Sequence, residues 1–524
     1  LTAIWQEQIA ARPDAPAIID RCRGRDRVLT FAQLQQQAQQ LARLLHDDFG
    51  LNPGDPVLVL VPMAPELYII LLALFQLGLV ALFLDPSAGR AHIERCCGMV
   101  APKAFIAVGR GHLLRLVCPA LRRIPHHLTT GPWLPATTPW QHIATRTPWN
   151  DRYPATPQSP ALITFTSGST GLPKAAVRSH GFLLAQHQAL AQAIHLEAGQ
   201  VDLATLPIFT LANLASGVTT VIPDADLRRP GHVDPQRILA QCRRHYITRT
   251  VASPAFLEVL ADACETDQSA LPTLTEIYTG GAPVLPRLLE RLHAMAPHAK
   301  VQAVYGSTEA EPIAHLALAE ITADDQASMN AGRGLLAGTP VASIALRILR
   351  PQWGTPVPTL STAAFETFCQ PPEWPGEIVV AGAHVLAGYL GGVGDEQTKF
   401  CVDGQVWHRT GDMGYLDHAG RLWLLGRCAA CIHDARGALY PLAVETAVLQ
   451  RHPTVLRAAL LALNGQRVLV MQVRSAAPAD LPAQVQRQLA EACLDTVRIV
   501  PLIPVDKRHN AKIDYPALRH LLGS

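Results

Sequence analysis

Apolar and polar positions along the chain repeat with the two periods that distinguish helices from strands. Leu34, Ala38, Leu41 and Leu45 recur at helical spacing, and Thr30-Phe-Ala-Gln33 before them has the form of a capping box. These positions predict an amphipathic helix with one buried face.

From residue 161 onward, short apolar runs alternate with amphipathic segments. This alternation predicts an α/β fold with a mainly parallel sheet that is covered by helices on both faces. The predicted strands lie at 162–166, 203–206, 218–223, 249–252, 276–278 and 302–305. The predicted helices lie at 181–194, 235–246, 254–263 and 286–295.

The apolar stretch 67–84 contains a single polar residue, Gln76, and is near the shortest length that spans a membrane. Pro65-Glu66 before it can open a helix, and Gly78 divides it. We therefore predict a helix at about 66–77 and a strand at 80–84. With the apolar strand 57–61, they form a buried βαβ unit rather than a membrane span.

Three further regions have a different character. Residues 119–160 are rich in Pro, Thr and Trp and are predicted to be a surface connection. Residues 335–425 contain short alternating segments typical of a small β subdomain, with a Pro-rich loop at 351–375. The last hundred residues carry another α/β set, at 442–450, 458–463, 468–474 and 482–496, which predicts a small separate domain.

Composition narrows the class of protein. Hydrophobic residues make up 49% of the 524 positions and charged residues 16%, which predicts a large core and excludes extensive disorder. The charges of the 44 basic and 42 acidic side chains nearly cancel. The sequence contains no block of five like charges, so nothing indicates a nucleic-acid partner. The first residues lack the pattern of a signal peptide, and the eleven cysteines are scattered, so we expect a cytoplasmic protein.

The most informative segment is Thr166–Lys174, here called the phosphate loop. A buried strand runs into six small residues, four with hydroxyls and two glycines, and then reaches one of only six lysines. Glycines let backbone N–H groups converge on an oxyanion, and hydroxyls and an ammonium add donors. Pro173 and Ala175 flank the lysine, so the loop is not a Walker A motif.

The phosphate loop resembles that of the adenylate-forming superfamily, which includes acyl-CoA synthetases, peptide-synthetase adenylation domains and luciferases. Further segments resemble the other motifs of this superfamily in the same order, over essentially the whole chain. They are Gly280-Gly-Ala-Pro283, Tyr305-Gly-Ser-Thr-Glu309, Gly376-Glu-Ile378 with Gly388-Tyr389, Thr410-Gly-Asp412, Gly426-Arg427 and Asn510-Ala-Lys-Ile513. The resemblance implies a large N-terminal domain of parallel α/β subdomains with a small β subdomain (1–425). A hinge (426–433) and a small, mobile α+β C-terminal domain (434–524) would follow.

The resemblance also implies ATP and Mg²⁺ and assigns roles to residues. Thr166, Glu309 and Lys512 would be catalytic, with Glu309 as the magnesium ligand and Lys512 bridging the carboxylate and the phosphate. Asp412 and Arg427 would contact the ribose, and Thr308 the α-phosphate. The remaining candidates for the nucleotide site are Ser167, Gly168, Ser169, Thr170, Gly171 and Lys174 at the phosphates, and Gly281, Ala282, Pro283, Tyr305 and Gly306 at the adenine. The acyl pocket would include Phe209, Thr210, Leu211, Ala212 and Gly280.

Several departures from the superfamily pattern concern the thioester-forming half-reaction. Ala429 stands where the hinge has Asp, and His433 where it has Lys. Arg436 occupies the position of the glycine that lines the pantetheine tunnel, with Gly437 one residue late. Thr210 stands where many acyl-CoA synthetases carry a histidine gate. These departures make CoA a doubtful cosubstrate.

A subgroup fits the departures better. Residues 209–235, Gly437-Ala-Leu-Tyr440 and Ile503–Lys512 resemble the β-lactone synthetases of bacterial olefin biosynthesis. The resemblance implies activation of a 2-alkyl-3-hydroxy fatty acid, ring closure by its own hydroxyl, and partners in a multienzyme olefin assembly. Two alternatives stay open: a fatty acyl-CoA or acyl-carrier ligase, and a nucleotide-binding protein without turnover that serves as a partner.

Overall fold

The computed structural model describes residues 2–167, 173–474, 477–505 and 513–523, without the side chains of Thr166 and Ser167. The chain divides into two compact units, one formed by residues 1–224 and 383–396, the other by 225–382 and 397–524. Both units contain helices and sheets with parallel strands, so the α/β fold predicted from the sequence is confirmed. The residue boundaries predicted for an N-terminal domain, a hinge and a C-terminal domain stay a prediction.

The first unit contains a sheet with the strand order β7-β6-β5-β3-β4-β8-β9, parallel except for the last pair. A second group of strands pairs in the order β10-β11-β1-β2. The strands are β1 Pro16–Cys22, β2 Arg25–Thr30, β3 Pro56–Leu60, β4 Val80–Phe83, β5 Ala104–Ala107, β6 His126–Thr129, β7 Thr138–Pro139, β8 Pro160–Ser167, β9 Pro173–Ser179, β10 Val201–Ala204 and β11 Thr219–Val221. The helices are α1 Thr2–Ala11, α2 Phe31–Arg43, α3 Pro65–Leu77, α4 Arg90–Val100, α5 Gly109–His112, α6 Leu114–Val117, α7 Pro119–Arg122, α8 His180–Ala193 and α9 Pro207–Ser216.

The crossover from β3 to β4 confirms the predicted βαβ unit. Every residue of α3 except Glu66 is buried, and the helix ends at Gly78, whose φ of 68° is left-handed. A Cβ at Gly78 would collide with the Tyr153 ring, so glycine is required there. Gln76, the polar residue of the apolar stretch, donates to the Trp149 carbonyl over 2.7 Å. None of the helices in the described ranges has the length and apolar character needed to cross a membrane.

The first unit also corrects the predicted surface connection at 119–160. The segment contains α7 and two short strands, and β6 pairs in parallel with β5 and so extends the sheet. Two histidines lead β6, and four residues are too few to show a clear period. The strand β9, which follows the phosphate loop and pairs antiparallel with β8, was likewise not predicted.

In the second unit, β12-β13-β14 are parallel, and β15, β16, β21, β20, β18 and β17 continue the order as antiparallel neighbours. The strands from residue 225 onward are β12 Arg249–Ala252, β13 Glu276–Gly280, β14 Lys300–Ser307, β15 Ala310–Ala317, β16 Leu335–Pro340, β17 Ala345–Leu349, β18 Gly376–Ala381, β19 Lys399–Val402, β20 Gln405–Leu416, β21 Leu422–Arg427, β22 Ile432–Asp434, β23 Gly437–Leu439, β24 Val455–Leu463, β25 Gln466–Val473 and β26 Thr496–Val500. The helices are α10 Pro235–Arg244, α11 Pro254–Thr266, α12 Pro286–Met295, α13 Ala323–Asn330, α14 Thr362–Phe368, α15 Asp395–Thr398, α16 Pro441–Arg451, α17 Leu481–Gln488 and α18 Tyr515–Leu521.

The last hundred residues build their own sheet, β24-β25-β26. Two predicted segments differ from the structure. The Pro-rich segment 351–375 contains the helix α14, whose first turn is capped by Ser361. The predicted segment 482–496 is a helix only to Gln488, because the chain then turns through a left-handed Cys493 into β26.

Candidate active site

The residues predicted to surround adenine lie at the ends of the parallel strands β13 and β14. Gly280 ends β13 beside Val304 of β14, and a Cβ on Gly280 would collide with the Val304 carbonyl oxygen. Gly281 follows with a left-handed φ of 84°. Only glycine suits this crowded backbone, and the carboxyl ends of parallel strands are where such folds bind nucleotides.

The predicted ribose ligand Asp412 meets two other predicted residues. The Tyr305 hydroxyl donates to Asp412 Oδ2 over 2.7 Å, and Arg427 Nη1 lies 3.2 Å from Asp412 Oδ1. Asp412 and Arg427 are also paired in register across β20 and β21. A carboxylate has about four lone-pair sites and is therefore suited to accept a pair of hydroxyls.

Burial, and then the neighbouring Asp412 carboxylate, hold the pKa of the Tyr305 phenol well above its usual range. Tyr305 therefore remains protonated and acts as a donor to Asp412 at all physiological pH values. The backbone N–H of Asp412 also donates to Thr410 Oγ1 over 3.1 Å, which fixes the turn in the strand. The carboxylate is thus oriented before any ligand arrives.

The magnesium candidate Glu309 lies in the turn between β14 and β15, next to the exposed Thr308. Its backbone N–H donates to Ser307 Oγ over 3.3 Å, and Glu309 is itself half-buried. Mg²⁺ in nucleotide sites typically keeps several waters and takes one or two protein carboxylates with the substrate phosphates. A single carboxylate on an accessible turn fits that chemistry.

A buried ion pair beneath the site was not predicted from the sequence. Arg409 and Glu377 are 1% and 0% exposed, and Arg409 Nη2 lies 2.6 Å from Glu377 Oε2. Arg409 also donates to the Thr355 carbonyl over 2.7 Å. Burial outweighs the guanidinium and raises the pKa of Glu377. The pair links β18 to β20 three residues from Asp412, and the Gly-Glu motif at 376 was its only signal in the sequence.

In the first unit, the phosphate-loop candidates lie partly outside the described residues. This holds for Gly168, Ser169, Thr170 and Gly171, and for the side chains of Thr166 and Ser167. The backbones of Thr166 and Lys174 pair across β8 and β9. Lys174 is 6% exposed, its Nζ lies 5.5 Å from the Tyr389 ring centroid, and it packs against Gly394. The Gly-Tyr motif at 388 therefore supplies a cation–π partner for this lysine.

Two of the acyl-pocket candidates line a common cleft in the first unit. Leu211 and Ala212 line an apolar cleft between α1, α3, α8 and α9, together with Trp5 and Phe75. Phe209 and Thr210 point to the other faces of α9, since successive helical residues differ by about 100° in direction. Both are buried there, and Gly280 belongs to the second unit.

The C-terminal region contains a cluster of four charges that sequence reasoning missed. Arg436 Nη2 lies 2.9 Å from Asp434, and Arg436 Nη1 lies 2.8 Å from Asp495. Arg467, which is buried, lies 2.7 Å from the same Asp434 and holds the pKa of that carboxyl well below its usual range, with help from Arg436. The cluster ties the turn between β22 and β23 to β25 and to the loop before β26. Lys512 lies outside the described residues.

The comparisons with known proteins agree on one family. The sequence matches the family described as AMP-binding enzyme over residues 5–390. An olefin β-lactone synthetase of Stenotrophomonas maltophilia (strain K279a) is 33% identical, over 98% of this chain and 96% of that protein. The corresponding protein of Xanthomonas campestris pv. campestris is 32% identical, over 96% and 93%.

Among solved structures, an amide bond synthetase from Marinactinospora thermotolerans has the same fold, with a TM-score of 0.80 at 22% identity and 99% coverage of both chains. The chain belongs to the AMP-binding enzyme family and is an adenylate-forming ligase.

Proposed function

We propose that this member of the AMP-binding enzyme family converts a 2-alkyl-3-hydroxy fatty acid into a β-lactone. The acid would first be activated as an acyl-AMP with release of pyrophosphate, and its own hydroxyl would then displace AMP. The similarity to the olefin β-lactone synthetases, over nearly the full length of both chains, supports this substrate class.

In the first step, a carboxylate oxygen of the acid attacks the α-phosphorus of ATP, and the bond to the β-phosphate oxygen breaks. Asp412 would accept the ribose hydroxyls while Tyr305 and Arg427 hold its carboxylate in place. Lys174 and the other residues of the phosphate loop would hold the β- and γ-phosphates. Lys512 would bring a positive charge to the reacting oxygens. Fixed donors of this kind stabilise charge that develops in the transition state.

Mg²⁺, bound by Glu309 and the phosphates, would neutralise part of the negative charge on the departing pyrophosphate. Glu309 itself would hold the ion.

In the second step, the C3 hydroxyl oxygen attacks the acyl carbonyl carbon and loses its proton to solvent, and the bond from that carbon to the AMP oxygen breaks. The products are the four-membered lactone and AMP. No second substrate is needed, because a hydroxyl held beside the carbonyl has a very high effective concentration. The protein's task here is to hold the chain and exclude competing water.

The observation that favours ring closure over thioester formation is the charge cluster around Arg436. A pantetheine tunnel requires a small residue where the backbone lies against the cofactor. This chain has instead an arginine that pairs with Asp434 and Asp495 and donates to the Cys493 carbonyl over 3.1 Å. The turn that would line the tunnel therefore carries a large side chain and is constrained by two ion pairs.

The apolar cleft of the first unit is a candidate binding surface for the hydrocarbon part of the substrate. Its lining is mostly aliphatic and aromatic, and hydrocarbon chains gain about 0.8 kcal/mol for each methylene removed from water. Leu211 and Ala212, predicted for the acyl pocket, are part of this lining.

The test is to incubate the protein with MgATP and a racemic 2-alkyl-3-hydroxy acid, with and without CoA, and to identify products by mass spectrometry. The proposal expects a product lighter than the acid by one water, formed without CoA. A matched 2-alkyl acid without the hydroxyl should give pyrophosphate and acyl-AMP but no lactone. A CoA thioester would instead identify an acyl-CoA ligase, and no pyrophosphate with any acid would identify a binding protein without turnover.

The variant Arg436→Gly restores the glycine of thioester-forming relatives. We expect it to keep lactone formation and to gain a trace of thioester when CoA is present. The control Arg436→Lys keeps a positive charge without the planar fork and should gain none. Robust thioester formation by the wild-type protein would overturn the role given to this cluster.

A further inference from the structure

A carboxylate in the interior of the C-terminal region is not used by the site described above. Glu445 lies on α16 and is 7% exposed. Its Oε1 accepts the backbone N–H of Leu460 over 2.9 Å and the hydroxyl of Tyr515 over 3.0 Å. One oxygen atom therefore links α16 to β24 and to the first residue of α18.

The surroundings of this carboxylate are otherwise apolar. Val444 and Ala447 on α16 belong to the core beneath β24, and Leu461 and Leu518 to the core on its other face. A charged group that acts on Tyr515 is Arg519, which donates to the Ala462 carbonyl over 2.6 Å. Replacing a buried polar pair by apolar side chains of similar size often leaves the stability of a protein unchanged or raises it. Stability alone therefore does not explain this pair.

The position of Tyr515 relates the pair to the predicted adenylation lysine. Tyr515 stands three residues after Lys512. The residues that flank 506–512 are hydrogen-bonded to each other. Val505 and Ile513 form an antiparallel bridge, and the Asp514 N–H donates to the Pro504 carbonyl over 3.0 Å. Asp514 then caps α18 through the Ala517 N–H. The residues immediately after Lys512 are thus fixed by several directed bonds.

Apolar packing alone would hold α18 against the sheet without fixing its rotation, because hydrophobic contacts are not directional. A hydrogen bond between Tyr515 and Glu445 does fix it, since hydrogen-bond strength falls steeply with angle. Glu445 is itself held by the backbone of β24. A directional anchor is therefore present where the chain leading from Lys512 enters the helix.

We propose that Glu445 and Tyr515 are positioning residues for the adenylation step, acting through the backbone that carries Lys512. This inference rests on the proposed function, in which Lys512 serves adenylation. Neither residue contacts a reacting atom. Their effect is confined to the half-reaction that uses Lys512, and ring closure from acyl-AMP does not depend on them.

The decisive variant is Tyr515→Phe, which removes one hydroxyl and keeps the ring. We expect kcat for pyrophosphate release to fall roughly tenfold with KM for ATP unchanged within about twofold. Lactone formation from preformed acyl-AMP should stay at the wild-type rate. The control Leu518→Ala, in the buried face of the same helix, should lower the melting temperature and affect both half-reactions equally.

Glu445 provides a second pair of variants. Glu445→Gln keeps an oxygen that accepts both bonds and should retain most of the adenylation rate. Glu445→Leu, of similar size, should lose it as Tyr515→Phe does. Equal loss in both variants would mean that the charge, not the acceptor, matters, and would overturn the proposal.

A readout independent of activity is hydrogen exchange of the peptide 513–521. Loss of the anchor in Tyr515→Phe should speed exchange at its first residues by at least about threefold while the end of α18 stays protected. If the wild type is active and Tyr515→Phe matches it in rate and exchange, this inference alone fails. If the wild type releases no pyrophosphate with any acid, the proposed function fails and takes this inference with it.

Discussion

The bond between Tyr305 and Asp412 allows a sharp test of the nucleotide site. Replacing Tyr305 with Phe removes the hydroxyl that donates to Asp412 Oδ2 over 2.7 Å and keeps the ring that is predicted to lie at the adenine. Arg427 still contacts the other carboxylate oxygen. The change therefore leaves the charge and the stacking surface intact and removes one constraint on the orientation of Asp412.

The magnitude follows from the environment of the carboxylate. A hydrogen bond to a charged group contributes about 1.5 to 3 kcal/mol. The Asp412 side chain is 20% exposed, so water can replace part of the lost bond and the lower end of this range applies. A loss of about 1.5 kcal/mol corresponds to slightly more than tenfold weaker binding of ATP.

The assay is equilibrium titration of ATP, with adenosine as a second ligand because it carries the ribose without the phosphates. Both should bind Tyr305→Phe roughly tenfold more weakly. Tyr415→Phe is the matched control, since Tyr415 lies on the same strand as Asp412 but stacks on Trp423 at 5.9 Å between centroids. It should bind both ligands as the wild type does. Unchanged affinity in Tyr305→Phe would refute the assignment of Asp412 as an oriented ribose acceptor.

Three further predictions concern the other charged residues. Glu309→Gln keeps the shape but loses the charge for Mg²⁺, and pyrophosphate release should fall at least about a hundredfold, or about 2.7 kcal/mol; near-normal turnover at saturating Mg²⁺ would contradict this. Lys512→Ala should nearly abolish acyl-AMP formation yet bind ATP, and added acyl-AMP of a 3-hydroxy acid should bypass the defect; failure of this bypass would give Lys512 another role. Burial raises the pKa of Glu445 to about 7 from 4.5. The neutral form is therefore favoured in the folded state, so this stability is full below about pH 4.5 and is lost as pH rises through 7, by up to about 3 kcal/mol. The free energy of unfolding, measured with urea at pH 5 and pH 8, should fall between these pH values in the wild type and not in Glu445→Gln. The same change with pH in both proteins would contradict this prediction.

The elements that could be predicted from the sequence are those with strong local signals. The capping box at Thr30 forms as expected, with Gln33 reaching back to the Thr30 N–H, and Gly78 ends α3 where the pattern divides. The predicted family and the predicted α/β class are also confirmed. Both could be predicted because the motifs of the family occur in their usual order along the sequence. The short strand β6 and the helix α14 could not be predicted, since four to seven residues give too little periodicity.

Contacts between residues that are far apart in the sequence could not be predicted either. Tyr305 and Asp412 were each predicted for the nucleotide site, but their bond joins positions 107 residues apart. The pair of Glu377 with Arg409 spans 32 residues, and nothing in the local pattern of β20 indicates that an arginine there is buried. Such pairs are set by strand register, which emerges only when β18 and β20 align.

The strand β20 shows why the nucleotide candidates are held by buried charge rather than by packing alone. Arg409 is fixed by Glu377, Thr410 donates to the Ile378 carbonyl, and Asp412 is then oriented by Tyr305. Apolar contacts on a strand would tolerate a small slide, whereas a buried ion pair left misaligned costs several kcal/mol. The register of β20, and with it the direction of the Asp412 carboxylate, is therefore set by groups that contact no ligand. Glu445 and Tyr515 repeat this arrangement three residues after Lys512 in the sequence, and under our proposal the adenylation step would likewise depend on a polar anchor outside the site.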